Sequence, residues 1–176
     1  MHIRVLLEAD AEAYRRLRLA GLRTNPEAFG STYEQEAGIA LEAMAERIKP
    51  GENKFVLGAF AENGTLSGIV TLVRESGIKT SHKGNIYGMY VASEARGQGV
   101  GRLLLRELIE RARSLEGLER IGLAVVSDNE PARKLYGSLG FVVYGVEKHA
   151  LKYNGQYYDE DYMVLNLLEN DRRTSL

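Results

Sequence analysis

Apolar and polar positions follow two periods along this chain, and the changes between them mark out its elements. Alternation over His2 to Leu7 predicts a first strand. Ala13, Leu17, Ala20 and Gly21 then recur at helical spacing behind Asp10, which reads as an N-cap. Asn25-Pro26 stops that helix. A second helical stretch runs from about Glu34 to Ile48, with Ile39, Leu41, Met44, Ala45 and Ile48 as its apolar positions, and Lys49 to Asn53 breaks it. Phe55 to Ala61 and Leu66 to Glu75 read as strands joined at Asn63-Gly64, a strong hairpin signal. Ser76 to Asn85 is polar and reads as a loop.

A strand over Ile86 to Val91 precedes a helix from about Gly99 to Ser114. Residues 120–126 form another strand, and Glu130 to Leu139 the next helix. Val142 to Tyr153 and Gln156 to Leu168 make a closing hairpin turned at Asn154-Gly155. The order is βααβββαβαββ, an α/β (α+β) pattern with about seven strands. No repeat, linker or low-complexity segment interrupts it, so residues 1–176 read as a single domain with its ordered core over about 1–168. Asn170 to Leu176 is polar and reads as a frayed end.

Composition narrows the function. Apolar residues make up 44% of the chain, enough for a core. The 23 basic and 24 acidic residues leave a net charge of −1, which gives no nucleic-acid footprint. Cysteine is absent, so disulfides, thiolate metal sites and a cysteine nucleophile are excluded. Met1 to Glu8 is too short and charged for a secretory segment, and no apolar run approaches the ~20 residues of a membrane span. A cytoplasmic protein with no membrane partner is the expectation.

The chemistry concentrates in Arg96-Gly97-Gln98-Gly99-Val100-Gly101, between a strand and a helix. A helix start offers unpaired N–H groups and the positive end of its dipole, and the glycines let a ligand approach closely; the combination suits phosphate or pyrophosphate. The spacing fits neither the dinucleotide fingerprint, which would need a glycine at 104, nor the nucleotide P-loop, which would need Lys-Ser or Lys-Thr after the last glycine. It does match R/Q-x-x-G-x-G/A. Downstream, Asn129-Glu130-Pro131-Ala132-Arg133-Lys134-Leu135-Tyr136-Gly137-Ser138-Leu139-Gly140-Phe141 matches N-x-x-A-x-x-L-Y-x-x-x-G-F. In motif, order and spacing the chain resembles the GCN5-related N-acetyltransferase (GNAT) superfamily. The resemblance is sharp over 86–141 and diffuse before residue 50.

That resemblance implies a mixed, mostly antiparallel sheet with helices on both faces, in which the central and following strands splay around a cofactor. It implies acetyl-CoA as co-substrate and no metal. The backbone of Met89, Tyr90 and Val91 would pair with the pantetheine arm as an added strand. Gly88 would mark a bulge that turns an N–H, that of Met89, toward the thioester carbonyl to stabilise an oxyanion. Gly97, Gln98, Gly99, Val100, Gly101 and Arg102 would cradle the pyrophosphate, with Arg96 and Arg102 adding charge or simply being solvated. Tyr136 would protonate the leaving thiolate, a role open to a phenol of pKa ~10; the bland alternative is a core tyrosine beside Leu135 and Leu139. Asn129 would cap its helix or contact the pantetheine, capping being the safer reading.

The general base does not carry over. Asn85 holds the position where many relatives place a Glu, and it could only orient a water. Glu34, Glu36, Glu147 and His149 are the other candidates, each weak alone; His82 reads as a loop residue. Residues 25–38 and the closing hairpin would contact the acceptor. Asp159-Glu160-Asp161 reads as a solvated cluster before it reads as a cation site. Tyr153, Tyr157, Tyr158 and Tyr162 read as sheet packing or a dimer surface. The expected activity is transfer of an acetyl group to a primary amine of a small molecule, peptide or protein, directly in a ternary complex. Ser138 has no activating histidine. The competing reading is a non-catalytic coenzyme A sensor, and a homodimer is compatible with either.

Overall fold

A computed structural model describes residues 1–168; the polar stretch 170–176 lies outside the described residues. Seven strands form one sheet: β1 (His2–Val5), β2 (Lys54–Phe60), β3 (Leu66–Arg74), β4 (Lys83–Val91), β5 (Arg120–Val126), β6 (Val142–Tyr153) and β7 (Gln156–Asn166). Their spatial order is β1-β2-β3-β4-β5-β7-β6. Every pairing is antiparallel except β4 with β5. Five helices accompany it: α1 (Ala11–Thr24), α2 (Tyr33–Ala37), α3 (Leu41–Ile48), α4 (Val100–Ser114) and α5 (Glu130–Gly137). This is the mixed, mostly antiparallel sheet that the motifs imply.

Side-chain alternation along the strands places helices on both faces. Gly68 and Val91 are partners and so share a face, and a Cβ on Gly68 would strike Leu104 and Val100 of α4. Ile69 and Tyr90 share the other, and Tyr90 lies against Gly21 of α1. Leu104, Leu105 and Leu108 of α4 are fully buried, so the apolar stripe that marks this helix is its contact with the sheet.

Three local expectations are corrected. The helix expected over 34–48 is two helices. A Thr32/Gln35 capping box starts α2, the chain leaves the helix at Gly38, and Ala40 is extended before α3 begins. That break lets α2 turn Glu36 inward while α3 separately buries Met44 and Ile48. The loop expected over 76–85 ends early: Lys83, Gly84 and Asn85 are strand, because β5 pairs with all three and β3 with Gly84 and Asn85. Asp10 holds the N-cap position of α1 as expected, but its side chain makes no capping bond there. Its carboxylate takes two 2.7 Å bonds from Arg4 and the Leu7 N–H at 2.8 Å, closing a short 3-10 turn over Glu8–Asp10 instead. Both Asn-Gly turns fall as expected; Asn154 (φ 48°) and Gly155 (φ 79°) adopt the left-handed pair that a tight hairpin needs.

Two irregularities position the site. Strands β4 and β5 pair only over Lys83–Asn85 with Arg120–Gly122; past that seam neither partners the other, and the sheet opens. Within β4 the register against β3 shifts between Ile69 and Thr71, leaving one extra residue on β4 at Gly88, whose φ is 59°. This is the bulge expected there, and it sits on the strand bordering the opening.

Candidate active site

The opening between β4 and β5 is a cavity of about 1110 Å³. The glycine loop and the start of α4 line one part of it. Gly97 (φ 75°) and Gly99 (φ 79°) hold left-handed conformations, and nothing lies within 4 Å of where a Cβ on either would stand. Gly99 is the N-cap of α4, so no side chain caps that helix. Val100, Gly101 and Arg102 of its first turn line the cavity, and an uncapped helix start beside two glycines fits a pyrophosphate ligand. Gly101 serves packing: its Cβ would come within 3.1 Å of Leu135 Cδ2 and 3.2 Å of Met89 Cε.

The polar side chains of the loop already have partners. Arg96 Nε donates to the Val91 carbonyl at 3.0 Å and Nη2 to Asn25 Oδ1 at 2.8 Å, tying the end of β4 to the segment after α1. Gln98 donates to the Glu94 carbonyl. Arg102 donates to Ser138 Oγ at 2.9 Å, and Ser138, which does not line the cavity, donates in turn to the Leu135 carbonyl.

On the opposite wall, α5 presents Asn129, Ala132, Leu135 and Tyr136. Asn129 Oδ1 accepts the Ala132 N–H at 3.3 Å, the capping bond expected of it. Tyr136 is 6% exposed, and its ring meets Phe141 edge-on at 5.8 Å. Burial pushes its phenol up to about 12. The group therefore stays protonated through the neutral range while its ring lines the cavity.

The candidate bases separate clearly. Asn85 lines the cavity and donates to Glu75 Oε1 at 3.4 Å. Glu34, Glu36, Glu147 and His149 do not line it. Burial works against the charge of Glu36, but Arg18, Ser31 and Arg47 outweigh it and hold the carboxyl below its ordinary value. His149 stands at a bulge with φ 55°, stacked on Tyr157. Glu147 accepts the Tyr162 hydroxyl. Glu160 carries the one carboxylate among the lining residues, and burial, then the neighbouring Glu147, raises it.

The acidic run at 159–161 is not one cluster. Asp159 holds Lys148 at 2.7 Å and the His149 N–H at 2.9 Å. Asp161 is buried against Arg133 and Ser127. Glu160 alone reaches the cavity. From the segment 25–38, Asn25, Ala28, Phe29, Gly30 and Ser31 line it, whereas 32–38 turn away. Tyr162 lines it too, together with Tyr144 from β6. Sequence reasoning missed Arg18 and Tyr87, both lining residues: Arg18 reads as one polar position of a helix, and Tyr87 as one apolar position of a strand.

Comparison with known proteins agrees with this geometry. Residues 12–141 match the model of the acetyltransferase (GNAT) family. The chain is 30% identical over 164 residues, 91% of its length and 96% of the relative's, to the L-amino acid N-acetyltransferase AaaT of Escherichia coli. It is 37% identical over 81 residues, 46% of each chain, to an L-methionine sulfoximine/L-methionine sulfone acetyltransferase of Pseudomonas aeruginosa. Among solved structures, yncA from Salmonella typhimurium with its cofactor acetyl-CoA superposes with a TM-score of 0.75 at 25% identity, over 95% of this chain and 94% of that one. Among the described residues no group of three His, Asp or Glu side chains could hold a metal ion, and no helix is long and apolar enough to cross a membrane.

Proposed function

The chain belongs to the acetyltransferase (GNAT) family, and from that premise we propose that it moves an acetyl group from acetyl-CoA to a primary amine, directly, within a ternary complex. The observation that carries this reading is the opening past the β4/β5 seam, which runs from an uncapped helix start to a protonated, buried tyrosine. Acetyl-CoA, when bound, supplies the activated acetyl group as a thioester. Residues 97–102 hold its pyrophosphate on backbone N–H groups, and the backbone of Met89, Tyr90 and Val91, which β5 leaves unpaired, takes the pantetheine amides as a strand would. Arg96 and Arg102 add charge to that side, and Asn129 keeps α5 in register behind it.

Gly88 lets the bulge form, and the Met89 N–H polarises the thioester carbonyl. Tyr136 keeps its proton until the thiolate leaves and then donates it. The neutral acceptor amine attacks and gives up its proton to a water oriented by Asn85 or to Glu160. The absence of cysteine rules out a cysteine acyl-enzyme. Small amino-acid-like amines are the acceptors to try first, since the two relatives described above are named for such substrates. One domain with its core over about 1–168 carries all of this, since a single sheet draws on strands from His2 to Asn166. Self-association belongs to the same proposal: the edge strand β6 leaves Val142, Val143, Tyr144 and Val146 exposed.

Calorimetric titration with acetyl-CoA, coenzyme A and ATP tests the cofactor, and turnover against an amine panel tests the transfer. One-site binding of the first two ligands but not ATP, with acetylated amine formed, is the expected result. Binding without turnover on any amine would leave a coenzyme A sensor.

A further inference from the structure

Beside Gly88, at the acceptor side of the cavity, stands a positive charge with a spare donor. Arg18 of α1 is 9% exposed. Its Nε donates to Glu36, and its Nη2 to Glu36 Oε1 and Ser31 Oγ, both at 2.8 Å. Phe29 supports the guanidinium face at 4.6 Å. Nη1 is buried and has no hydrogen-bond partner. It lies 3.8 Å from where a Cβ on Gly88 would stand, and Arg18 lines the cavity.

The charge there is not cancelled. Glu36 is shared, taking Arg47 Nη1 at 3.0 Å as well as Arg18, so two guanidinium groups face one carboxylate. Arg47 does not line the cavity and Arg18 does, so this three-residue group keeps a net positive charge with Arg18 on its cavity side. A buried donor without an acceptor is costly unless a ligand supplies one. The pyrophosphate fit lies elsewhere, on the loop at 97–102, so the acceptor is the ligand that Arg18 meets.

We propose that Arg18 Nη1, closed to solvent in this structure, is uncovered by a small side-chain shift when the acceptor binds and anchors its carboxylate, and that the acceptor is an α-amino acid. Its amine and carboxylate share one carbon, so a carboxylate held beside Gly88 brings the amine to the bulge where the transfer occurs. Phe29, Tyr87, Tyr144 and Leu151 line the same cavity and give an apolar side chain a place to rest. This assignment rests on the acetyl-transfer reading above and adds to it the side chain that selects an acceptor bearing a carboxylate.

The test uses the full chain with acetyl-CoA and three parallel sets of acceptors: L-amino acids, their carboxamides and the matching decarboxylated amines. Wild type is expected to favour the acids by about 10- to 100-fold in kcat/KM, the range for a hydrogen bond to a charged group. Arg18→Gln and Arg18→Lys are compared on the same sets, with acetyl-CoA binding as the check that each has folded. The Gln variant is expected to lose the preference for acids over amides. A merely structural role would lower all three sets equally. Should either variant not fold, the wild-type preference still decides. Equal wild-type rates on acids and amides would overturn the anchor while leaving acetyl transfer intact, as would an Arg18→Gln enzyme that keeps the preference. No acetylation in any set, with acetyl-CoA bound, would overturn both.

Discussion

Tyr136 is packed into the core and at the same time stands on a cavity wall. Replacing it by Phe removes one oxygen and little packing. We expect turnover to fall about 100-fold or more, with acetyl-CoA binding unchanged by calorimetry. Its raised pKa, about 12, also has a sign. The donor stays protonated well above neutrality, so the rate should climb with pH as the acceptor amine deprotonates and show no fall before about pH 10. A descending limb near pH 8 would assign the acid elsewhere. Glu36 is the opposite case, a carboxylate held ionised by Arg18, Ser31 and Arg47. Its contribution to stability is present above the ordinary carboxylate range and is lost as pH falls through its lowered value. Glu36→Gln strands two guanidinium groups and should cost about 3 kcal/mol in urea unfolding at pH 7.

Strand β4 shows how an element can be regular in sequence and irregular in space. Ile86 to Val91 reads as an uninterrupted apolar run, yet Gly88 inserts an extra residue against β3. Space does not demand glycine there, since the nearest atoms to a Cβ would be 3.8 Å away; the φ of 59° does. Gly88→Ala should therefore cost about 1–2 kcal/mol in thermal unfolding through the backbone alone, and turnover about tenfold or more through misplacement of Met89. The glycine loop and the α5 motif were legible because their chemistry is local: each needs fixed residues at fixed spacing. The β4 start at Lys83-Gly84-Asn85 was not, because polar residues become strand there only through partners at 73–74 and 120–122. Nor was the Arg18–Glu36 pair, which needs the break at Gly38–Ala40 to bring together positions 18 residues apart.

At the scale of the whole molecule, the sheet is two plates joined at the short β4/β5 seam, with the candidate site opening from it. A ligand bound on both walls ties β4 and α4 to β5 and α5. Acetyl-CoA at about 100 times its Kd should raise the melting temperature by about 5–10 °C, and ATP should not, in a scan with matched ligand concentrations. The number of strands and their order along the chain were readable from hydrophobic periodicity, because turn residues or helices separate them, while the helix expected over 34–48 is two. The seam's shortness was not, since nothing in the residues past Asn85 or Gly122 says that they will part.

The parting also bears on how the protein meets other chains. An open sheet of seven strands paired along their length has two free edges; this one has four, because β4 past Asn85 and β5 past Gly122 each leave a row of backbone donors and acceptors unanswered by the other. Such rows are templates for aggregation. They border a cavity that α4 and α5 also line, not the outer margin of the sheet. Whatever fills that cavity in the working protein therefore does a second service, keeping two sticky edges away from the wrong partner.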